Sequence, residues 1–224
     1  MQPMPDYSLP STTAVKRVIP KNSFESFATP KQKRLFTEIV QRITWTHKVA
    51  PSTTNLQANQ IQEIQFFTVE LKKSAPVKEL LDLIDRCIPY PIVFKVTFGD
   101  VSYFHTSIKR PHGQDEDKAI IDFSFSNDWS AESSLKPELK TSVDDSYRNI
   151  CLQLSDFSKE AELSLGSLVE KQRAINTLRK DISTLKATIK KSKSFKGKVD
   201  LNQKLKEAER QLTTTLHFNN TITL

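Results

Sequence analysis

The sequence predicts an α+β fold, a mostly antiparallel sheet with helices packed on it, followed by a C-terminal antiparallel coiled-coil helical hairpin. Three observations carry that prediction. Strand-like runs rich in β-branched and aromatic residues alternate with amphipathic helical stretches in the order α-β-β-α-β-β-β. Leu168, Ile175, Ile182 and Ile189 recur at heptad spacing, with Leu165, Leu178 and Leu185 at a second seam position and Lys171 interrupting it, the stripe of a helix that packs along one narrow face. The charge is one-sided: residues 170–224 hold 13 Lys and Arg against 5 Asp and Glu, and residues 1–169 hold 20 against 21.

Residues 1–20 are polar and punctuated by proline, which predicts a partly ordered lead-in that docks Val15, Val18 and Ile19. Thr29-Pro30 then starts a helix, with Thr29 as cap, Pro30 at the first helical position and Gln32 completing a capping box. Leu35, Phe36, Ile39 and Val40 make its apolar face. From Arg42 to Val49 the pattern switches to alternation, a strand; Pro51 to Gln60 is a loop, and Ile61 to Leu71 a second strand paired with the first. After Pro76, Val77, Leu80, Leu81, Ile84 and Ile88 recur at helical spacing until Pro89 and Pro91 stop them. Ile92–Phe98 and Val101–Ile108 flank Gly99-Asp100 and read as a hairpin. A polar loop over Lys109 to Asp117 leads into a last strand, Ala119 to Phe125. Residues 126–141 are irregular, anchored by Trp129, and a helix with Val143, Tyr147, Ile150, Cys151, Leu154 and Phe157 on one face follows.

The predicted domains are therefore a lead-in (1–28), an α+β domain (29–142), a connecting helix (143–166) and a basic coiled-coil hairpin with the C-terminal tail (167–224). Ser167 with Glu170 fits a capping box for the hairpin's first helix, and a Gly197-containing break ends it before Leu201, Leu205, Ala208 and Leu212 resume the period. From Leu168 to Lys193 the helical rise gives a length of about 40 Å. Lys186, Lys190, Lys191, Lys193, Lys196 and Lys198 surround Phe195 there, the composition expected where phosphates are neutralised and a base, or a partner's apolar pocket, meets an aromatic ring. The competing reading is a solvated polar tip made of good helix formers.

Several classes are excluded or disfavoured on composition. No apolar run approaches a membrane span and Met1–Ser11 lacks the apolar centre of a signal peptide, so the expectation is a soluble cytoplasmic protein. Cys87 and Cys151 fall on apolar helical faces and read as buried thiols. His47, His105, His112 and His217 show no metal-ligand spacing. The four glycines form no phosphate-cradling loop, which argues against a nucleotide cofactor. His112 beside Asp115, Glu116 and Asp117 could act as an acid or base, against the alternative of an exposed polar turn.

The order Ile19-Pro20-Lys21, Ile43-Thr44-Trp45, Glu63-Ile64-Gln65-Phe66, Glu70-Leu71-Lys72, Ile84-Asp85, Ile88-Pro89-Tyr90, Ile121-Asp122, Trp129, Phe195, Lys198-Val199 and Leu201-Asn202 resembles the prokaryotic domain of unknown function 4391 family. The resemblance implies a bacterial or archaeal protein of restriction-like or phage-defence neighbourhoods, beside helicases and DNA methyltransferases. It brings no catalytic residues with it.

The expected function is a non-enzymatic accessory protein of a DNA-processing or phage-defence system. It would dock a helicase or DNA-modification partner and contact DNA or RNA through the basic arm. The first alternative is a metal-dependent nuclease subunit. Restriction-type nucleases place an acid and a lysine two apart on a strand, so Glu70 and Lys72 would carry catalysis and Glu63 with Glu70 would hold Mg²⁺ or Mn²⁺. No Asp or Glu lies between Arg42 and Ile61 to supply the usual second carboxylate. The second alternative is a structural homodimer paired through the arm.

Overall fold

In a computed structural model that describes residues 7–113, 115–158 and 162–217, and the side chains of all of these but 111, 115–118 and 217, the chain divides into two units, Met1–Ser155 and Asp156–Leu224. The first is α+β, with a six-stranded sheet in sequential order. Its strands are β1 (Ala14–Ile19), β2 (Val40–Val49), β3 (Ile64–Leu71), β4 (Ile92–Phe98), β5 (Val101–His112) and β6 (Asp115–Ser126). All neighbours are antiparallel except β3 and β4, which run parallel. A parallel pair needs a crossover, and α2 (Lys78–Arg86) supplies it.

Local chemistry explains where the elements begin. Thr29 caps α1 (Pro30–Ile39): its Oγ1 accepts from the Gln32 N–H, while Gln32 Oε1 accepts from the Thr29 N–H at 2.9 Å. Val40 takes an extended conformation and turns the chain directly into β2. Gly99 sits at φ +55 in the two-residue connection of β4 to β5, a backbone region that glycine reaches without steric cost. One face of the sheet, through Ile43, Phe67, Val69, Leu71, Phe94 and Val96, packs against Phe36 and Ile39 of α1 and Leu80, Leu81 and Ile84 of α2. Each such side chain, fully buried, contributes about 1.5–3 kcal/mol. On β3 the alternate residue Phe66 meets Tyr7, its ring 5.1 Å away. α3 (Val143–Gln153) lies against β5, where Tyr147 Oη donates to the Ser107 carbonyl at 2.8 Å.

Several boundaries differ from the sequence reading, the first at Val40, which opens β2 instead of belonging to the apolar face of α1. The lead-in contains a strand: residues 14–19 pair with β2, bulging between Ala14 and Arg17 where Lys16 takes φ +56. The polar stretch after Ile108 is the end of a long hairpin, because β5 continues to His112 and β6 starts at Asp115. β3 begins at Ile64, since the Asp144 carboxylate at the start of α3 accepts the N–H groups of Asn59, Gln60 and Ile61 and holds them off the ladder.

The second unit contains α4 (Leu165–Lys191) and α5 (Phe195–His217), which pack together. α4 starts a turn's width earlier than the Ser167 capping box predicts: Ser164 is the cap and its Oγ accepts from the Ser167 N–H at 3.1 Å. Leu168, Ile175 and Ile182 are buried and Leu178 and Leu185 half-buried, so the heptad stripe is the packed face. Asp156 anchors the segment before α4 by a two-pronged pair with Arg179 (2.7 and 2.8 Å). No helix among the described residues is long and apolar enough to cross a membrane.

Candidate functional site

The basic segment is built at the junction of α4 and α5. α4 ends at Lys191, and Ser192–Ser194 is the whole connection. Ser194 then caps α5, its Oγ accepting from Gly197 N–H at 3.2 Å and its carbonyl from Lys198 N–H at 3.0 Å. Gly197 therefore lies inside the first turn of α5, where the sequence reading had a break through Lys198. The consequence is electrostatic. Lys190 and Lys191 occupy the last turn of α4, where cations suit the helix dipole, but Lys196 and Lys198 occupy the first turn of α5, which contains no acidic residue. Each misplaced cation costs about 0.3–1 kcal/mol.

All five tip lysines, Lys190, Lys191, Lys193, Lys196 and Lys198, are exposed. No Asp or Glu occurs between Asp181 and Asp200. Lys186 is committed elsewhere, its ammonium pairing with the Glu209 carboxylate at 2.9 Å across α4 and α5. None of the other five has a carboxylate partner among the described residues. Phe195 stands among them with 85% of its surface exposed, against 50% or less for the exposed rings Phe27, Tyr90 and Trp129. An unpaired cationic cluster around a bare aromatic ring can neutralise phosphates and offer a π-face at once.

The residues of the nuclease alternative are differently disposed. Glu70 sits opposite Arg42 in the β2–β3 ladder, and the guanidinium grips its Oε1 through Nε (2.8 Å) and Nη2 (2.7 Å). Lys72 lies just past β3 and donates to the Thr37 carbonyl at 2.6 Å, bracing α1. Glu63, before the other end of β3, pairs with Lys48 at 2.8 Å and accepts from Gln65. Seven residue steps of extended chain lead from Glu63 to Glu70, about 23 Å, so one ion could not bridge both. Glu70 and Arg42 line a groove of about 600 Å³ with Val18, Gln41, Leu71, Thr97 and Gly99, and among the described residues no second carboxylate lines it. Among the described residues no group of three or more His, Cys, Asp and Glu is placed to hold a metal.

The structure also assembles a buried polar cluster that the sequence reading did not find. Lys109 and Asp85, with side chains 2% and 0% exposed, pair at 2.8 Å. The Lys109 ammonium also donates to the carbonyls of Asp85 (2.9 Å), Ile88 (2.7 Å) and Tyr90 (2.5 Å), which end and follow α2. Burial pushes the Asp85 carboxyl up and the Lys109 ammonium down, each opposed by the other's charge. Next door, Ser107 Oγ stands 3.4 Å from His105 Nε2 and 3.1 Å from Ser124 Oγ. Burial lowers the His105 pKa to about 4, so the imidazole is neutral at pH 7. Ser107 and His105 are buried. An aspartate on the buried face of α2 was the available signal.

The remaining candidates fall into place. Cys151 is buried and burial pushes its thiol up to about 12, which removes it as a nucleophile. Cys87, at the C-cap of α2, is half-buried, where the sequence predicts a buried thiol. Trp129 packs edge-on to Tyr103 at 4.6 Å. His112 ends β5 in register with Asp115, and the side chains of Asp115, Glu116 and Asp117 lie outside the described residues.

The fold and the site define an α+β sheet protein whose second, helical unit carries five exposed lysines without carboxylate partners among the described residues, and an exposed phenylalanine. Residues 8–212 match the family described as Domain of unknown function (DUF4391), and the chain belongs to it. No curated protein and no solved structure matches the chain.

Proposed function

We propose that this protein is a non-enzymatic accessory factor that contacts nucleic acid through the α4–α5 junction, with α4 and α5 forming an antiparallel coiled-coil arm. The Lys186–Glu209 bridge and the three-residue connection between the helices support the hairpin. The observation that carries the binding role is the set of five exposed lysines without carboxylate partners among the described residues, two of them opposed to the α5 dipole. A phosphate strand relieves that opposition and supplies the missing anions. The family resemblance adds a helicase or DNA-modification protein in a phage-defence setting as the partner the factor would serve. The Arg42 grip on Glu70 and the 23 Å reach between Glu63 and Glu70 give the nuclease alternative no support. The test is fluorescence anisotropy with labelled oligonucleotides. The native protein binds, and replacement of Lys190, Lys191, Lys193, Lys196 and Lys198 by Gln weakens binding at least tenfold; equal affinity of the two proteins would remove the tip from the function.

A further inference from the structure

Building on the nucleic-acid reading of the tip, we infer that the α4–α5 junction selects an unpaired strand over a duplex, with Phe195 as the residue that makes the choice. Phe195 opens α5, and Lys196 and Lys198 follow it in the same turn while Lys193 precedes it by two residues. Its ring is 85% exposed, so it contributes little to packing within the chain. The seam residues of α5, Leu201, Leu205, Ala208 and Leu212, are half-buried on the face toward α4. Phe195 is thus an apolar ring presented to solvent at the centre of the cations.

The chemistry of the two nucleic-acid forms separates them. A duplex offers its phosphates to the lysines, but its base faces are already stacked on one another. An unpaired strand offers the same phosphates together with free base faces, and a phenyl ring can stack on any base because each has a π-face. The lysines therefore supply attraction common to both forms, and Phe195 adds a contact only the unpaired strand can accept. Phosphate neutralisation and stacking on Phe195 are available in single-stranded DNA and RNA alike.

The experiment measures affinities of the full chain for a single-stranded 20-mer and its duplex, by anisotropy at one salt concentration. Phe195→Ala weakens single-strand binding by about 5- to 140-fold, the range for loss of one stacked base, and leaves duplex binding unchanged. Phe195→Trp retains the preference, whereas Phe195→Leu loses it although it keeps an apolar side chain. Equal single-strand affinity for Phe195→Ala and the native protein overturns this inference, and so does a Phe195→Leu variant that binds as the native protein does. If the five-lysine Gln variant binds both forms as tightly as the native protein, the nucleic-acid reading fails and the inference falls with it. Loss of affinity in the lysine variant with no effect of Phe195→Ala isolates the failure to the stacking step.

Discussion

Lys109→Met tests the buried pair that ties α2 to the sheet. The native ammonium serves the Asp85 carboxylate and the carbonyls of Asp85, Ile88 and Tyr90 from a site where it is 2% exposed. Methionine approximates the stem but leaves Asp85, 0% exposed, without its counter-charge. Removing one partner of a buried pair costs about 3–5 kcal/mol, a large share of the roughly 5–15 kcal/mol that holds a domain folded. The neighbouring residue provides the control. Arg110 pairs with Asp122 at 3.0 Å with its side chain 59% exposed, so Arg110→Ala costs at most about 1 kcal/mol. Both tryptophans, Trp45 and Trp129, lie in the first unit, so tryptophan fluorescence during urea unfolding follows that unit. The reasoning is refuted if Lys109→Met lowers stability by less than about 1 kcal/mol, or no more than Arg110→Ala does.

Other expectations are independent of that pair. His105 has its pKa lowered to about 4 by burial, so the stability it supports is complete above its ordinary value of 6.5 and is lost as pH falls through about 4. The loss amounts to about 3 kcal/mol, and urea unfolding of His105→Gln should show a correspondingly shallower decline between pH 6.5 and 4; parallel curves would contradict it. Ser164→Ala removes the α4 cap and should cost about 1 kcal/mol of stability in the second unit, measured by far-ultraviolet circular dichroism. With Mg²⁺ or Mn²⁺ the protein should leave single-stranded and duplex DNA intact; cleavage abolished by Glu70→Ala or Lys72→Ala would replace the accessory role with the nuclease one.

What the sequence disclosed depended on how local the cause was. The Thr29–Gln32 box, the Gly99 turn and the heptads of α4 are fixed by residues within a few positions of one another, and each is present in the structure. β1 was hidden because its pairing with β2 spans a long chain separation and Pro10 and Pro20 frame it as a loop. The β5–β6 extension was masked by charged residues around Pro111, which alternation alone does not reveal as a ladder. At the candidate sites, Arg42 facing Glu70 depends on strand register, and Asp85 meeting Lys109 depends on where α2 lies against the sheet. The tip lysines and Phe195 were legible because they are adjacent in sequence. Their exposure and the early start of α5 were not.

The central claim is that the lysines around Phe195 neutralise phosphates, and the salt dependence of binding measures that directly. Each phosphate contact to a single strand contributes about 0.7 to the slope of log affinity against log salt, so five contacts give about 3.5 and a loss of roughly 100-fold between 50 and 200 mM salt. The native protein should show a slope approaching that value, and the five-lysine Gln variant a slope lower by up to the same amount. Equal slopes in the two proteins would contradict the account.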